Sequence, residues 1–393
     1  MRVPKLRFKA DDGSDFPAWE KKTLGELCAP LTYGMNAAAT KFDGENRYIR
    51  ITDIDDETHA LLPNDIVSPS GELDDKYLVK KGDILLARTG ASTGKSFLYH
   101  PKDGKLFYAG FLIKAHVLPS SDDYFIYSQT LTDRYWKWVK TASMRSGQPG
   151  INANEYASYS FAVPSLPEQR KIADFLSAVD DVIAAQEAEV AAWEKRKKGV
   201  MQKLFRQEVR FKADDGSDFP DWEEKTLGDI CMYERQRSEG ANFIGTENML
   251  KDFGGVAFDN SKADGSGTLY HPGDTLMSNI RPYLKKAWLA DRKGTCSTDV
   301  LVFHPTSVEP GYLYWLIASD AFVRYVMSAA KGSKMPRGDK KHIMEMPLLL
   351  PNKDEQRKID DCLSSLNDVI IKAKNELAKW QELKKGLLQQ MFV

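Results

Sequence analysis

The run with the clearest chemical signature is a glycine-rich segment, GASTGKS, at residues 90–96. It resembles the loop that cradles nucleotide phosphates with backbone amides and a lysine. That loop requires four residues between its glycines, whereas Gly90 and Gly94 are separated by three. The residues that follow, SFLYH, have a strand pattern instead of the required helix. We therefore interpret the run as a turn between strands, either a plain hairpin turn or a ligand-facing loop. The side chains of this loop that could face a ligand are Arg88, Thr89, Ser92 and Lys95.

Other catalytic signatures are missing from the sequence. It contains no methyltransferase tetrapeptide of the NPPF or DPPY kind and no glycine-rich cofactor loop. The six histidines lack the spacing of metal ligands, and the four cysteines form no CxxC pair. The sequence thus predicts a chain without catalytic activity that holds neither a metal nor a cofactor.

The composition is that of a soluble globular protein, with 42% hydrophobic and 28% charged residues. No apolar run approaches the roughly 18 residues that cross a membrane, so we expect a cytoplasmic protein that does not bind membranes. The formal net charge is −1. Because nucleic-acid-binding domains are often strongly basic, any DNA affinity has to come from local clusters of cations or from a partner.

Two stretches of the chain each occur twice. Residues 7–17, RFKADDGSDFP, return letter for letter at 210–220, and residues 164–205 recur without a gap as 351–392. The long segments between these copies hardly resemble one another. This pattern predicts two different domains held in one repeated frame. The boundaries are residues 1–163 for the first domain with its amino-terminal segment, 164–206 for a central helix, 207–350 for the second domain, and 351–393 for a carboxy-terminal helix.

The second repeat has the periodicity of a coiled coil. Apolar residues follow alternating steps of four and three from Ile172 to Leu204, and again from Ile359 to Met391. Ser165 with Glu168 forms a capping-box pattern, and Asn352 stands three residues before Glu355. We expect two helices of about 38 residues that pair antiparallel; the alternative is two ordinary amphipathic helices on separate cores.

The two dissimilar segments share a faint plan. KKGDILLARTGASTGKSFLYH, from residue 80, parallels HPGDTLMSNIRPYLKKAWLA, from residue 271, and a helical pattern follows each. Short β-rich runs with Gly and Asp between them indicate hairpins. The predicted fold class is therefore α+β: two mixed α/β domains separated by a long antiparallel two-helix coiled coil, in a pseudo-twofold organisation.

The GD-(I/T)-L strands, the EQRKI helix starts after a proline and the duplicated frame resemble the specificity subunit of type I restriction-modification systems. The resemblance covers nearly the whole chain. It implies two target-recognition domains, each of which reads half of a bipartite site in double-stranded DNA, and two conserved helices that set the gap. Two stiffly connected, dissimilar domains also favour half-sites about one helical turn, ~34–36 Å, apart.

The resemblance further implies the partners. The subunit has no activity of its own and binds two methylation subunits, which carry S-adenosylmethionine. The complex then recruits restriction subunits, which use ATP and Mg.

Candidate DNA contacts follow from side-chain chemistry, since Arg can address guanine and Asn or Gln can address adenine in the major groove. In the first domain the candidates are Arg50, Thr52, Arg88, Thr89, Ser92, Lys95, Arg145, Gln148 and Asn152. In the second they are Thr246, Asn248, Asn279, Arg281, Tyr283, Lys285, Lys286, Lys334 and Arg337. The most basic local patch, KGSKMPRGDKKH at residues 331–342, is expected to touch phosphates.

The aromatic run RYWKW at residues 134–138 suggests base stacking at first sight. At helical spacing Trp136 and Trp138 cannot share a face, so we expect one to be exposed and the other to pack in a core. Two rival functions stay open: a coiled-coil scaffold or adaptor that never meets DNA, and a DNA-processing enzyme, which the missing motifs disfavour.

Overall fold

The computed structural model describes residues 4–144, 147–258 and 264–392. Its strands are β1 (Glu20–Thr23), β2 (Thr32–Tyr33), β3 (Ala39–Lys41), β4 (Arg47–Ile49), β5 (Val67–Pro69), β6 (Asp83–Ala87), β7 (Ser96–Leu98), β8 (Leu106–Tyr108), β9 (Leu112–His116), β10 (Ser160–Val163), β11 (Glu223–Thr226), β12 (Cys231–Tyr233), β13 (Arg237–Ala241), β14 (Asp264–Tyr270), β15 (Thr275–Ser278), β16 (Ala287–Leu289), β17 (Gly294–Cys296), β18 (Val300–Pro305) and β19 (Pro347–Leu350).

The α-helices alternate with these strands, and two of them are long. They are α1 (Leu24–Leu27), α2 (Asp123–Gln129), α3 (Asp133–Ala142), α4 (Ala153–Ser158), α5 (Leu166–Phe205), α6 (Leu227–Ile230), α7 (Pro310–Ile317), α8 (Asp320–Ser328), α9 (Lys340–Met344) and α10 (Lys353–Met391). The chain forms two compact units, residues 1–188 with 375–393, and residues 189–374. Each unit therefore contains a part of both long helices.

The first unit is built around a four-stranded antiparallel sheet in the order β2-β9-β6-β7. Every residue of β6 is buried, as expected for an apolar strand at the centre of a domain. Strand β4 pairs with β8 in parallel, and β3 pairs with β5. Strands β1 and β10 pair antiparallel, and α5 begins three residues after β10 ends.

The second unit repeats this plan in its own strands. Its four-stranded sheet has the order β12-β18-β15-β16, beside a three-stranded sheet β13-β14-β17 and the pair β11-β19. The aspartate of each GD motif is buried and bonds to a histidine on the neighbouring strand: Asp83 to His116, and Asp274 to His304, both at 2.7 Å. The predicted correspondence between the two GD hairpins is therefore confirmed.

The long helices pair antiparallel within each unit. In the first unit the ammonium group of Lys384 lies 2.6 Å from Asp180, and in the second unit Lys197 donates to Asn367 at 2.9 Å. The predicted seam positions, from Ile172 to Leu204 and from Ile359 to Met391, are buried or half-buried throughout. The predicted antiparallel pair is therefore confirmed, and the alternative of two ordinary helices on separate cores is excluded, because residues of both long helices enter the same core in each unit.

A buried ionic clamp joins the first repeat to the second repeat in each unit. The guanidinium group of Arg7 donates twice to Glu168, at 2.8 Å, and the indole of Trp19 donates to the same carboxylate at 3.2 Å. The second unit has the same clamp, made by Arg210, Trp222 and Glu355. Both carboxylates are fully buried, and charge-assisted, bidentate bonds of this kind are strong. The two copies of each repeated sequence thus form the same structural joint, once in each unit.

The clamp also corrects one expectation about the helix starts. Glu168 is engaged by Arg7 and Trp19, and the hydroxyl oxygen of Ser165 is buried without a partner, so the predicted capping box does not form. In the second copy, Asn352 does accept a hydrogen bond from the amide of Glu355 at 2.9 Å, which confirms that cap.

The helical pattern after each hairpin forms two short helices, α2 with α3 and α7 with α8. Thr132 caps the second helix of the first pair, and Ser319 caps that of the second. Trp136 is 38% exposed, whereas Trp138 packs on Tyr159 with a ring separation of 4.8 Å. The expectation of one exposed and one packed tryptophan is confirmed.

Within residues 4–144, 147–258 and 264–392, no helix combines the length and apolar character needed to cross a membrane. The same described residues contain no cluster of three or more His, Cys, Asp or Glu side chains arranged to hold a metal ion.

Candidate nucleic-acid interface

In each unit, a candidate side chain directly follows the buried central strand of the sheet, at an equivalent position of the fold. Strand β6 ends at Ala87 and is followed by Arg88; strand β15 ends at Ser278 and is followed by Asn279. The backbone amide of Arg88 donates to the carbonyl of Phe111 at 3.0 Å, and that of Asn279 donates to the carbonyl of Asp299 at 2.8 Å. The two side chains therefore start from rigid, equivalent backbone positions.

A second candidate loop lies alongside each strand end in the fold. In the first unit, the amide of Ile151 donates to the carbonyl of Arg88 at 2.9 Å, and that of Gly90 donates to Pro149 at 3.0 Å. In the second unit, the amide of Arg281 donates to the carbonyl of Pro336 at 2.8 Å. Stretches that are more than 50 residues apart in sequence are therefore brought together, and they are the stretches that the side-chain chemistry had singled out.

The first unit presents aromatic and amide groups at this surface. The guanidinium group of Arg88 lies 4.8 Å from the ring centre of Tyr33, in cation–π contact. Tyr33 is 43% exposed and Phe111 is 59% exposed, and Gln148 in the late loop is also exposed. The sequence reasoning missed both aromatic residues. Alignment of GFLIKAH with TDVLVFH would have placed Phe111 opposite Asp299, at the start of an equivalent strand.

The second unit presents cations around an open depression of about 580 Å³. Arg337 lies 3.4 Å from Asp299, and Lys331 lies 2.7 Å from Asp339. The bond from Lys331, with backbone amides of α9, lowers the pKa of Asp339 to about 2. The depression is lined by Asn279, Lys331, Gly332, Met335, Arg337, Gly338, Asp339, Lys340 and Lys341. This density of cations suits contacts with phosphate oxygens.

Two of the predicted lysines are used inside the fold. The ammonium group of Lys95 is buried, donates to the carbonyl of Ile54 at 2.8 Å and pairs with Asp56. The ammonium group of Lys286, at the equivalent position, donates to the carbonyl of Thr246 at 2.7 Å, and burial lowers the pKa of Lys286. Lys95 therefore holds the loop at Ile54, and Lys286 holds the loop at Thr246. Because both ammonium groups are used in these internal contacts, the proposed DNA contacts do not include them.

Three other candidates also have internal partners. Arg50 binds Asp53 and Asp65, and the hydrogen bond to Asp53 raises the pKa of Arg50. Asn248 is buried and accepts from the amide of Gly245 at 2.8 Å. Asn152 caps α4 through the amide of Glu155. These side chains shape the loops on which they lie, and their contact with DNA stays a prediction.

The remaining candidates differ in how accessible they are. Thr52, Gln148, Arg281, Tyr283, Lys334 and Arg337 are exposed, and Thr89, Ser92 and Thr246 are half-buried. Lys285 is half-buried and pairs with Asp320 at 2.8 Å. Arg145 lies outside the described residues. The exposed set is the part of the prediction that can reach a ligand without rearrangement.

Comparison with known proteins agrees with this architecture. The model of the type I restriction modification DNA specificity domain matches residues 18–192 and again residues 220–380. The chain is 22% identical over 350 residues to the type I restriction enzyme MjaVIII specificity subunit of Methanocaldococcus jannaschii, covering 81% of this chain and 80% of that protein.

Two solved structures have the same fold. The S subunit of a type I restriction-modification system from M. genitalium has a TM-score of 0.60 at 16% identity and covers 100% of this chain and 99% of its own. A chain solved in work on complex assembly and conformational transition of the type I R-M system has a TM-score of 0.55 at 19% identity and covers 95% of this chain and 96% of its own. Since the family model matches both halves of the sequence and far more than half of its length, this protein belongs to the type I restriction-modification DNA specificity family.

Proposed function

We propose that this chain is the DNA-specificity subunit of a type I restriction-modification complex. Each α/β domain reads one part of a bipartite site in double-stranded DNA. The observation that carries the proposal is the double match to the specificity-domain model, together with one exposed cluster of candidate residues in each unit. Because the two clusters differ in side chains, the target site is asymmetric.

The two units supply different kinds of contact in this proposal. Lys331, Lys334, Arg337, Lys340 and Lys341 give the second unit a phosphate-binding surface, which positions DNA without reading its sequence. The first unit has fewer cations in its equivalent loop and offers Gln148, Arg88 and exposed aromatic rings. A protein with net charge −1 needs such local clusters for DNA affinity.

The proposal includes partners and their cofactors. Two methylation subunits carry S-adenosylmethionine, and restriction subunits supply ATP- and Mg-dependent cleavage; this chain contributes recognition and no catalytic group. The relative from M. jannaschii is itself a specificity subunit of a restriction enzyme, which supports assembly with other subunits. The chain is expected in the cytoplasm, where the host DNA is.

The test is to express the chain with a methylation subunit in a host that lacks such a system, and then to sequence the modified bases of its genome. A two-part modified motif, absent without this chain, is the expected result. A host genome without any new motif, together with no retention of DNA by the purified complex, would favour the coiled-coil scaffold instead.

The long helices set the gap between the two parts of the site in this proposal. Inserting one heptad into α5 and one into α10 lengthens the paired helices by about 10 Å at 1.5 Å per residue. We expect the gap in the modified motif to grow by about three base pairs, at 3.4 Å per pair, while both half-sites keep their sequences. An unchanged gap in the modified motif would refute the role of the helices.

A further inference from the structure

We infer that Arg88 and Asn279 are the base-reading residues of the two units, Arg88 for guanine and Asn279 for adenine. The inference rests on the proposed function, and it goes further by naming one specificity-determining side chain in each domain and the base that it reads.

The two residues occupy one position in a common frame. Each stands five residues after the aspartate of the GD motif, directly beyond the central strand. Each lies beside an antiparallel bridge between the next residue and the late loop, Thr89 with Gly150 in one unit and Ile280 with Arg337 in the other. A side chain that directly follows a buried strand is held more precisely than one on a free loop, and base recognition requires such precision.

The amide of Asn279 has an unused hydrogen-bonding group. Asn279 is 6% exposed, its Nδ2 donates to the carbonyl of Gly338 at 3.3 Å, and its Oδ1 is buried without a partner. Buried polar groups are nearly always satisfied in folded proteins, so an orphaned acceptor that lines an open depression points to a ligand that donates to it. Adenine offers that donor at N6, beside an acceptor at N7 that suits the second hydrogen of Nδ2.

Arg88 has the matching feature in the first unit. Its Nε is buried without a partner, and its guanidinium group is held against the ring of the exposed Tyr33, with one long hydrogen bond from NH1 to the carbonyl of Gly110 at 3.5 Å. A stacked guanidinium group loses little further freedom on binding, and its planar fork fits the O6 and N7 acceptors of guanine.

The neighbouring candidates do not compete for this role. Lys95 and Lys286 are bonded to carbonyls of their own unit, and the exposed lysines of the 331–341 loop suit phosphates, which carry no sequence information. Reading by Asn279 requires its amide to turn from Gly338 towards the depression that it lines.

The test uses the whole chain with its methylation subunit in the host described above, with Arg88→Ala and Asn279→Ala as separate variants. Each variant is expected to relax one base position in one half-site and to leave the other half-site intact. A bidentate pair discriminates against a wrong base by about 5- to 150-fold, so the modified fraction at sites with the wrong base rises by that order. Lys379→Ala on the exposed face of α10 is the matched control and leaves the motif unchanged.

Asn279→Asp keeps the size of the side chain and replaces the donor by an acceptor, and thermal unfolding of each variant separates a change in reading from a loss of folding. We expect it to move the preference at that position from adenine towards cytosine, whose N4 is a donor. If the wild-type chain gives a two-part motif and the complexes with the variants modify that same motif without relaxation at any base, the inference is wrong and the proposed function stands. If the wild-type chain gives no motif, both fall together.

Discussion

The two units have one backbone plan and different side chains at its exposed end. Where the first unit has Arg88, Phe111 and Gly150, the second has Asn279, Asp299 and Arg337, on the same hydrogen-bonded frame. The ionic clamps, by contrast, have equivalent partners in the two units. The same hydrogen-bonded backbone frame therefore presents different side chains to a ligand in the two units.

Loss of the clamp carboxylate should have the largest effect, and the same effect in both units. Glu168→Gln and Glu355→Gln each remove the buried negative charge that pairs with the guanidinium group and replace one of its two accepting oxygens by an NH2 donor, at a cost of about 3 kcal/mol in the free energy of unfolding. Hydrogen exchange of peptides from each unit measures this, with the exposed Glu382→Gln as the control. Costs that differ strongly between the units would show that the clamps are not equivalent.

Substitution by alanine at the sixth residue after Arg88 and after Asn279 should destabilise the first unit much more than the second. Gly94 has φ +94°, and an added Cβ would lie 2.6 Å from Val139, so Gly94→Ala should cost about 3 kcal/mol from backbone strain and overpacking. Lys285 already occupies the equivalent position at φ +53°, so Lys285→Ala should cost less than about 1 kcal/mol through its ion pair with Asp320. Thermal unfolding of the two variants measures both costs, and equal costs would contradict the prediction.

A loss of stability between about pH 6.5 and pH 4 is expected in the first unit. Burial, with smaller effects of the nearby Lys95 and Lys384, lowers the pKa of His59 from 6.5 to about 4, while the hydrogen bond with Ser96 and the charge of Asp55 act weakly in the other direction. The unfolded chain therefore takes up the proton first as the pH falls. The stabilisation by neutral His59 is complete above about pH 6.5 and is lost by about pH 4, amounting to about 3 kcal/mol at most.

Hydrogen exchange at a series of pH values checks this expectation. Peptides of the first unit should lose protection between pH 6.5 and 4, and His59→Asn should make that loss less steep than in the wild type. A loss of equal steepness in the variant would assign it to other groups.

The smallest effect is expected from a single phosphate contact in the second unit. Arg337→Ala should weaken DNA binding by the assembled complex without changing the motif, and should reduce the slope of log affinity against log salt by about one. The equivalent Gly150→Ala in the first unit removes no charge and should leave the slope unchanged. A change of motif in Arg337→Ala would mean that this arginine reads a base.

Much of this architecture follows from local patterns in the sequence. The heptad seam predicts the long helices because an apolar stripe at that spacing needs a partner helix, and duplication of the frame predicts two similar units. The GD hairpins and the strand after GASTGK are also predictable, since glycine, aspartate and β-branched or aromatic residues have strong local preferences.

The tertiary structure alone decides which candidate side chains are free. Lys95 and Lys286 look like ligand-binding cations in sequence, yet each is bonded to a carbonyl of a loop about 40 residues away. Glu168 looks like a helix cap, yet it binds Arg7, 161 residues earlier. Sequence determines the helices, the repeats and the kinds of side chain, because these depend on neighbours along the chain. The partners of each charged group depend on contacts between distant segments, and local patterns contain no record of those contacts.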